Sequence, residues 1–173
     1  MPLPSFSVRL QHGKSSQDPV FCSLIYFSGI AGGFAPPTPN AIHIIDFSAP
    51  AVSIASTDPQ HLQVTSSVRQ KGTTELSSAF PKTVAVTSGS DDEKAIHELQ
   101  ALLKDLPVEN PPGSKDIYGL DTSIGWNSDD LMWCNGGPAG CGTGHSSVEA
   151  DEEHKAKFKR AVEIFNGLVN KAK

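Results

Sequence analysis

Cysteine is scarce in this sequence: three residues in a chain of 173, at Cys22, Cys134 and Cys141. So small and odd a number does not provide a framework of disulfides, and a chain of this length buries enough surface to fold without one. Few cysteines are typical of reducing compartments, because disulfides persist mainly in oxidising ones. We therefore expect a cytoplasmic location for this protein.

Clusters of Lys and Arg are also missing, and the formal net charge is −5. A protein that binds nucleic acid is expected to carry a basic stripe, so we expect no nucleic-acid partner. Long hydrophobic runs are missing too. The longest candidate, residues 20–35, is too short to span a bilayer, and it follows Asp18 and Pro19, which do not suit a signal peptide. We expect a soluble protein without a membrane partner.

The first half of the chain has the pattern of β-strands. Residues 5–11 alternate between apolar and polar side chains, which is the period of a strand with one wet face. Residues 20–28 and 41–47 are more continuously apolar, as in strands that are covered on both faces. Shorter candidates are residues 51–55, 62–68 and 83–87. Their spacing, with turn residues between them, predicts antiparallel pairing through hairpins.

Two helices are predicted after these strands. The capping-box pattern Ser-x-x-Glu at 90–93 precedes apolar residues at helical spacing, which predicts a helix at about 91–106. The same pattern at 146–149 precedes a second apolar stripe, which predicts a helix at about 147–171. The sequence therefore predicts a single α+β domain. A mostly antiparallel sheet from the N-terminal half carries both helices on one face, and the domain spans residues 1–173.

The connection between the helices, residues 107–145, shows little periodicity and is predicted to be irregular. Irregular segments this long are uncommon in compact domains and are often functional. Aromatic and Met side chains outside regular structure can form a platform for a planar or apolar ligand. The residues of this kind here are Tyr118, Trp126, Met132 and Trp133. In the alternative interpretation they seal the edge of the sheet against the helices.

A Gly-rich loop in the same segment carries Cys134, Cys141 and His145. Two thiols and an imidazole on a loop that can wrap around an ion are suitable ligands for zinc. The spacing C-x6-C-x3-H is wider than the two to four residues that usually separate the paired cysteines of structural zinc sites. A disulfide between Cys134 and Cys141, or two thiols that bind nothing, are the alternatives.

Motifs of catalysis are missing from the sequence. There is no Gly-x-Ser-x-Gly nucleophile motif. His43 lies in the predicted strand 41–47 with its side chain directed away from those of Ile42 and Ile44, and we interpret it as a structural histidine. These observations favour a protein that is not an enzyme.

We therefore expect a protein that binds a small, mostly apolar or aromatic ligand (a lipid, pigment or metabolite) between the sheet and segment 107–145. One alternative is a zinc-dependent enzyme, a hydrolase, in which Cys134, Cys141 and His145 hold the metal. A second alternative is a homodimeric interaction or scaffold protein that pairs through an exposed strand edge. An organic ligand is thus the first expected cofactor, and zinc is the second.

Overall fold

The strands and helices of this chain are seen in a computed structural model, which describes residues 3–13, 39–49, 59–71, 73, 75–136 and 145–173. Within these ranges the elements are β1 (Phe6–His12), β2 (Ala41–Phe47), β3 (Gln60–Arg69), β4 (Leu76–Ser78), β5 (Lys82–Val86), α1 (Asp91–Asp105), β6 (Thr122–Ser128), β7 (Leu131–Cys134) and α2 (Glu152–Lys171). The strands predicted at 20–28 and 51–55 lie outside the described residues.

The described strands form one antiparallel sheet in the order β4-β3-β2-β1-β6-β7. Strand β5 lies on the same edge as β4, because β4 pairs with residues 67–69 of β3 and β5 with residues 60–64. Strands β1, β2, β3 and β5 match their predicted positions to within two residues. The prediction of an α+β fold with a mostly antiparallel sheet and two helices is confirmed.

The prediction that residues 107–145 are irregular is wrong for the hairpin of β6 and β7. Strand β6 pairs with β1 from Phe6–Ser128 to His12–Thr122, so it lies inside the sheet. The sheet is therefore not built from the N-terminal half alone. The sequence of β6 alternates in the period of a strand, with Ile124 and Trp126 directed inward, but Gly125 and the polar residues around it weaken the pattern.

The pairing register defines which side chains share a face of the sheet, because directly opposed residues of antiparallel strands point the same way. One row across the sheet consists of Val64, Ile45, Val8 and Trp126, each exposed by 1% or less. These residues belong to the core that also contains the buried faces of α1 and α2. We call this side of the sheet the helix-bearing face.

The first helix, α1, begins as predicted. The hydroxyl of Ser90 accepts a hydrogen bond from the N–H of Glu93, which is the N-cap half of the capping box. The helix ends at Asp105, one residue before the predicted end. No helix in the described part of the chain is long and apolar enough to cross a membrane.

The predicted start of α2 at residue 147 is wrong, because the helix begins at Glu152 and its N-cap is Asp151. The carboxylate of Asp151 accepts a hydrogen bond from the N–H of His154. Ser146, the predicted cap, instead accepts hydrogen bonds from the N–H groups of Asn110 and Val148. Serine and aspartate are both favourable N-cap residues. Here the Ser146 hydroxyl accepts hydrogen bonds within the loops before the helix, and Asp151 caps α2.

Helices α1 and α2 lie antiparallel on the sheet. Lys171 at the end of α2 pairs with Asp92 at the start of α1, and Lys157 near the start of α2 pairs with Asp105. The chain beyond α2 then joins the edge of the sheet, where Thr83 and Lys173 exchange two backbone hydrogen bonds of 3.1 Å. The helical layer is thus held along its length and at its C-terminal end.

Candidate functional site

The predicted aromatic platform is mostly part of the core. Trp126, Tyr118 and Trp133 are 1%, 3% and 7% exposed, whereas Met132 is 82% exposed. Met132 alternates with Trp133 along β7, so it lies on the opposite face of the sheet. The structure therefore does not bring the four residues together, and the burial of three of them agrees with the alternative that they seal the sheet against the helices.

The polar ends of these aromatic side chains are satisfied within the core. The indole N–H of Trp133 donates to the carbonyl of Leu106 at 2.9 Å, and the Tyr118 hydroxyl donates to the carbonyl of Pro107. The Tyr118 ring stacks on Phe158, with 4.1 Å between ring centroids. Burial raises the pKa of Tyr118 well above its usual range, and the carboxylate of Glu109 raises it further. Tyr118 therefore remains a neutral phenol that joins the loop before β6 to α2.

The predicted zinc ligands lie only in part within the described residues. Cys134 is half-buried, with its sulfur 3.7 Å from the carbonyl oxygen of Asn135 and 3.8 Å from that of Gly136. His145 Nδ1 lies 3.2 Å from the carbonyl oxygen of Ser146, and Cys141 is outside the described residues. The described ranges contain no group of three or more side chains that could hold a metal ion. Zinc binding by this loop stays a prediction.

A buried carboxylate holds the backbone at the end of β7. Glu109 is 3% exposed, and its Oε1 accepts hydrogen bonds from the N–H of Gly113 at 2.9 Å and of Gly136 at 2.6 Å. Two such donors offset much of the cost of burying a charge. Through these two hydrogen bonds, the Glu109 carboxylate joins the loop after α1 to the end of the β6–β7 hairpin. Its contacts are therefore those of a structural residue.

Near one end of the sheet, each of the four central strands carries one polar side chain on the helix-bearing face. Its inward-facing residues there are His12 on β1, His43 on β2, Ser66 on β3 and Thr122 on β6. We call these four residues the polar band. The next inward positions along the strands are apolar and buried: Leu10, Ile45, Val64 and Ile124. Polar residues in the inward register of a sheet depart from the core pattern, and such departures mark functional positions.

The first histidine of the polar band is held by a hydroxyl on the next strand. His12 Nδ1 lies 3.1 Å from Thr122 Oγ1, and that hydroxyl donates its own proton to the carbonyl of Leu120 at 2.9 Å. A hydroxyl has one proton, so while Thr122 donates to Leu120 it accepts from His12. In that arrangement Nδ1 of His12 carries the proton of the neutral ring, and Nε2 keeps its lone pair.

The second histidine has the same arrangement on the other side of β1. His43 Nδ1 lies 2.9 Å from Ser66 Oγ on β3. Burial lowers the pKa of His43 below its usual value, and the neighbouring His12 lowers it further. The two imidazoles are therefore close enough for their charges to interact, although they lie on different strands.

Exposed apolar side chains border the polar band. Val68 follows Ser66 on the same face of β3 and is 46% exposed, and Leu120, whose carbonyl accepts from Thr122, is 40% exposed. Thr122 itself is buried, whereas His12 and His43 are half-buried. The site thus offers imidazoles that can form hydrogen bonds next to apolar surface.

A signal for this site is present in the sequence. His12 continues the alternation of Phe6, Val8 and Leu10, so it points to the core side of β1. His43 alternates in the same way with Ile45. Two histidines in inward register near the ends of consecutive strands indicate a shared location, provided that the strands pair.

Comparisons with known proteins add nothing to this description. No family model matches the chain, and the searches of curated proteins and of solved structures found no match either.

Proposed function

We propose that this chain is a non-enzymatic binding protein for a small, mostly apolar or aromatic ligand with one polar group. The ligand's polar group contacts the polar band, and its apolar part covers Val68 and Leu120. The observation that carries the proposal is the presence of one polar inward side chain near the same end of each of the four central strands, His12, His43, Ser66 and Thr122.

The chemistry of the site supports an amphipathic ligand. Small-molecule sites combine apolar lining with a few polar groups that set the orientation of the ligand. Here His12 and His43 supply those groups, and each ring is fixed through Nδ1 by a hydroxyl. Because both rings are half-buried, a hydrogen bond made to either is stronger than one made in bulk water.

This location replaces the Trp and Met platform as the centre of the proposal. A ligand could reach Trp126 or Trp133 only if the core opened, because both side chains pack under the helices. Truncating either tryptophan would destabilise the fold and would not test binding. Leu120 and Thr122 of segment 107–145 belong to the proposed position, but Thr122 is part of the sheet itself, as the first residue of β6.

Native mass spectrometry of the protein purified from its own source tests whether a ligand is bound. We expect a non-covalent organic adduct that is lost when the chain is unfolded. A chain that carries its computed mass alone, from gentle purification at several salt concentrations, contradicts the proposal.

A fluorescence titration with 8-anilinonaphthalene-1-sulfonate, which joins aromatic rings to one anionic group, tests the location. We expect Val68→Ser to weaken binding about threefold, because covering the exposed half of a valine side chain contributes about 0.7 kcal/mol. Met132→Ser is the matched control, since this apolar side chain is 82% exposed on the opposite face of the sheet. If Met132→Ser weakens binding and Val68→Ser does not, the proposed location is wrong.

A further inference from the structure

We propose that His12 and His43 bind a divalent transition-metal ion through their Nε2 atoms. This inference uses the same site as the proposed function, but it does not need the organic ligand. It gives the polar band a role as an open metal site with two ligands from the described residues, whose remaining positions can be filled by water or by the polar group of a ligand.

The register brings the two imidazoles together. His43 is opposite Leu10, and His12 is opposite Ala41, so the histidines are diagonal neighbours on adjacent strands and share one face. Diagonal neighbours in an antiparallel pair lie about 7–8 Å apart at Cα, which long side chains span.

The hydrogen bonds of the rings leave the metal-binding atoms available. A histidine that binds a metal through one nitrogen almost always donates the other N–H to an oxygen, which fixes the tautomer and the orientation of the ring. His12 fits this arrangement when Thr122 donates to Leu120, since Nδ1–H of His12 then donates to Thr122 Oγ1. His43 is held through the same nitrogen by Ser66 Oγ at 2.9 Å. Both Nε2 atoms are then the ligands.

The identity of the donors indicates the class of ion. Imidazole nitrogen suits zinc, copper and nickel, whereas magnesium and calcium require oxygen ligands. The described residues contain no third His, Cys, Asp or Glu that would complete a metal group with these two. Affinity should therefore be modest and should be higher for Cu²⁺ than for Zn²⁺, following the general order for divalent ions.

Titration of the metal-free protein with Cu²⁺ or Zn²⁺ alone tests the inference, with binding measured by calorimetry. We expect saturable binding that disappears in the double variant His12→Gln/His43→Gln. Thr122→Val keeps the shape of the side chain but removes the acceptor for His12, and we expect it to weaken binding about 10- to 100-fold. His61→Gln is the control, since His61 is exposed on β3 and points to the opposite face; it should bind like the parent chain.

A measurement on the unaltered chain avoids any question of whether a variant folds. Cu²⁺ broadens nuclear magnetic resonance signals close to it, so signals of His12, His43, Ser66 and Thr122 should broaden first. Broadening that begins at Cys134, or metal binding that survives in the double variant, overturns the inference. The two proposals fail separately: metal binding without 8-anilinonaphthalene-1-sulfonate binding refutes only the organic ligand, and the converse refutes only the metal site.

Discussion

Gly136 lies two residues after the end of β7 and has a backbone conformation that L-amino acids rarely adopt. Its φ is +79°, and an added Cβ would lie 2.9 Å from the Cβ of Ser123. Gly136→Ala combines left-handed strain with this close contact, so we expect it to lower the free energy of unfolding by about 1–3 kcal/mol, measured by urea denaturation.

Gly167 provides the matched control for that substitution. It lies in α2 with nothing within 4 Å of an added Cβ. Gly167→Ala should raise the free energy of unfolding by up to about 1 kcal/mol, because alanine favours a helix over glycine. Equal effects of the two substitutions would show that the conformation at Gly136 does not constrain the fold.

At the scale of single residues, the sequence predicts which face of a strand each side chain is on. It does not predict which residues of neighbouring strands lie close together. Alternation along each strand shows that His12 and His43 both point inward. It does not show which residue of β2 is opposite which residue of β1, because the connection of β1 to β2 is too long for turn geometry to set the register. The polar band could therefore be recognised only once the pairing of Leu10 with His43 was known.

At the scale of an element, the sequence offers two possible N-cap residues for α2, Ser146 and Asp151. Asp151 accepts from the N–H of His154 at 2.8 Å, so Asp151→Ala should destabilise the chain by about 1 kcal/mol. Hydrogen exchange of the first turn of α2 should rise in the same variant, which locates the loss at the helix end.

Ser146→Ala distinguishes the observed cap from the predicted one. The Ser146 hydroxyl accepts from Asn110 and Val148, so its loss should increase exchange in those loops and leave the first turn of α2 protected. Faster exchange of the α2 amides in Ser146→Ala, with none in Asp151→Ala, would show that the helix begins where the sequence pattern placed it.

Elements with strong local signals could be predicted, and those that depend on tertiary contacts could not. The capping box and apolar spacing of α1 were sufficient to predict it to within one residue. The β6–β7 hairpin was missed because its strands are short, seven and four residues, and β6 contains a central glycine. Strand β6 is stabilised by pairing with β1 and by burial of Trp126. These contacts are with residues far away in the sequence, so the local sequence pattern does not reveal them.

At the scale of the whole molecule, charged contacts join the helices to each other and to the sheet. Hydrogen bonds and ion pairs lower the pKa of three carboxyl groups at these contacts, Glu98, Asp105 and Asp130, and also of Asp151 at the N-cap of α2. In each case the largest cause is a hydrogen bond: from Arg160 to Glu98, from Lys157 to Asp105, from Lys104 to Asp130, and from the backbone N–H of His154 to Asp151. Asp130, in the turn between β6 and β7, also accepts from Gln100 of α1, so it ties the sheet to the helical layer.

Acid should therefore weaken the attachment of the helices. Since the folded pKa values lie below the ordinary carboxyl values of about 4, the unfolded chain binds more protons in that range. The stabilisation is fully present above about pH 5 and is lost as the pH falls through the folded pKa values. Urea denaturation from pH 7 to pH 2 should show this loss, and 1 M salt should reduce it by screening.

Asp130→Asn isolates the contribution of the contact between the sheet and α1. We expect a small loss of stability at pH 7 and a shallower fall with acid, because the substituted side chain cannot be protonated. The parent and Asp130→Asn curves should converge as the pH falls and the parent carboxyl becomes neutral as well. Asp129→Asn removes a neighbouring charge but none of the four contacts, so its curve should stay parallel to that of the parent chain. A difference between the parent and Asp130→Asn that is the same at every pH would mean that Asp130 acts through packing, and the acid sensitivity of the helical layer would need another source.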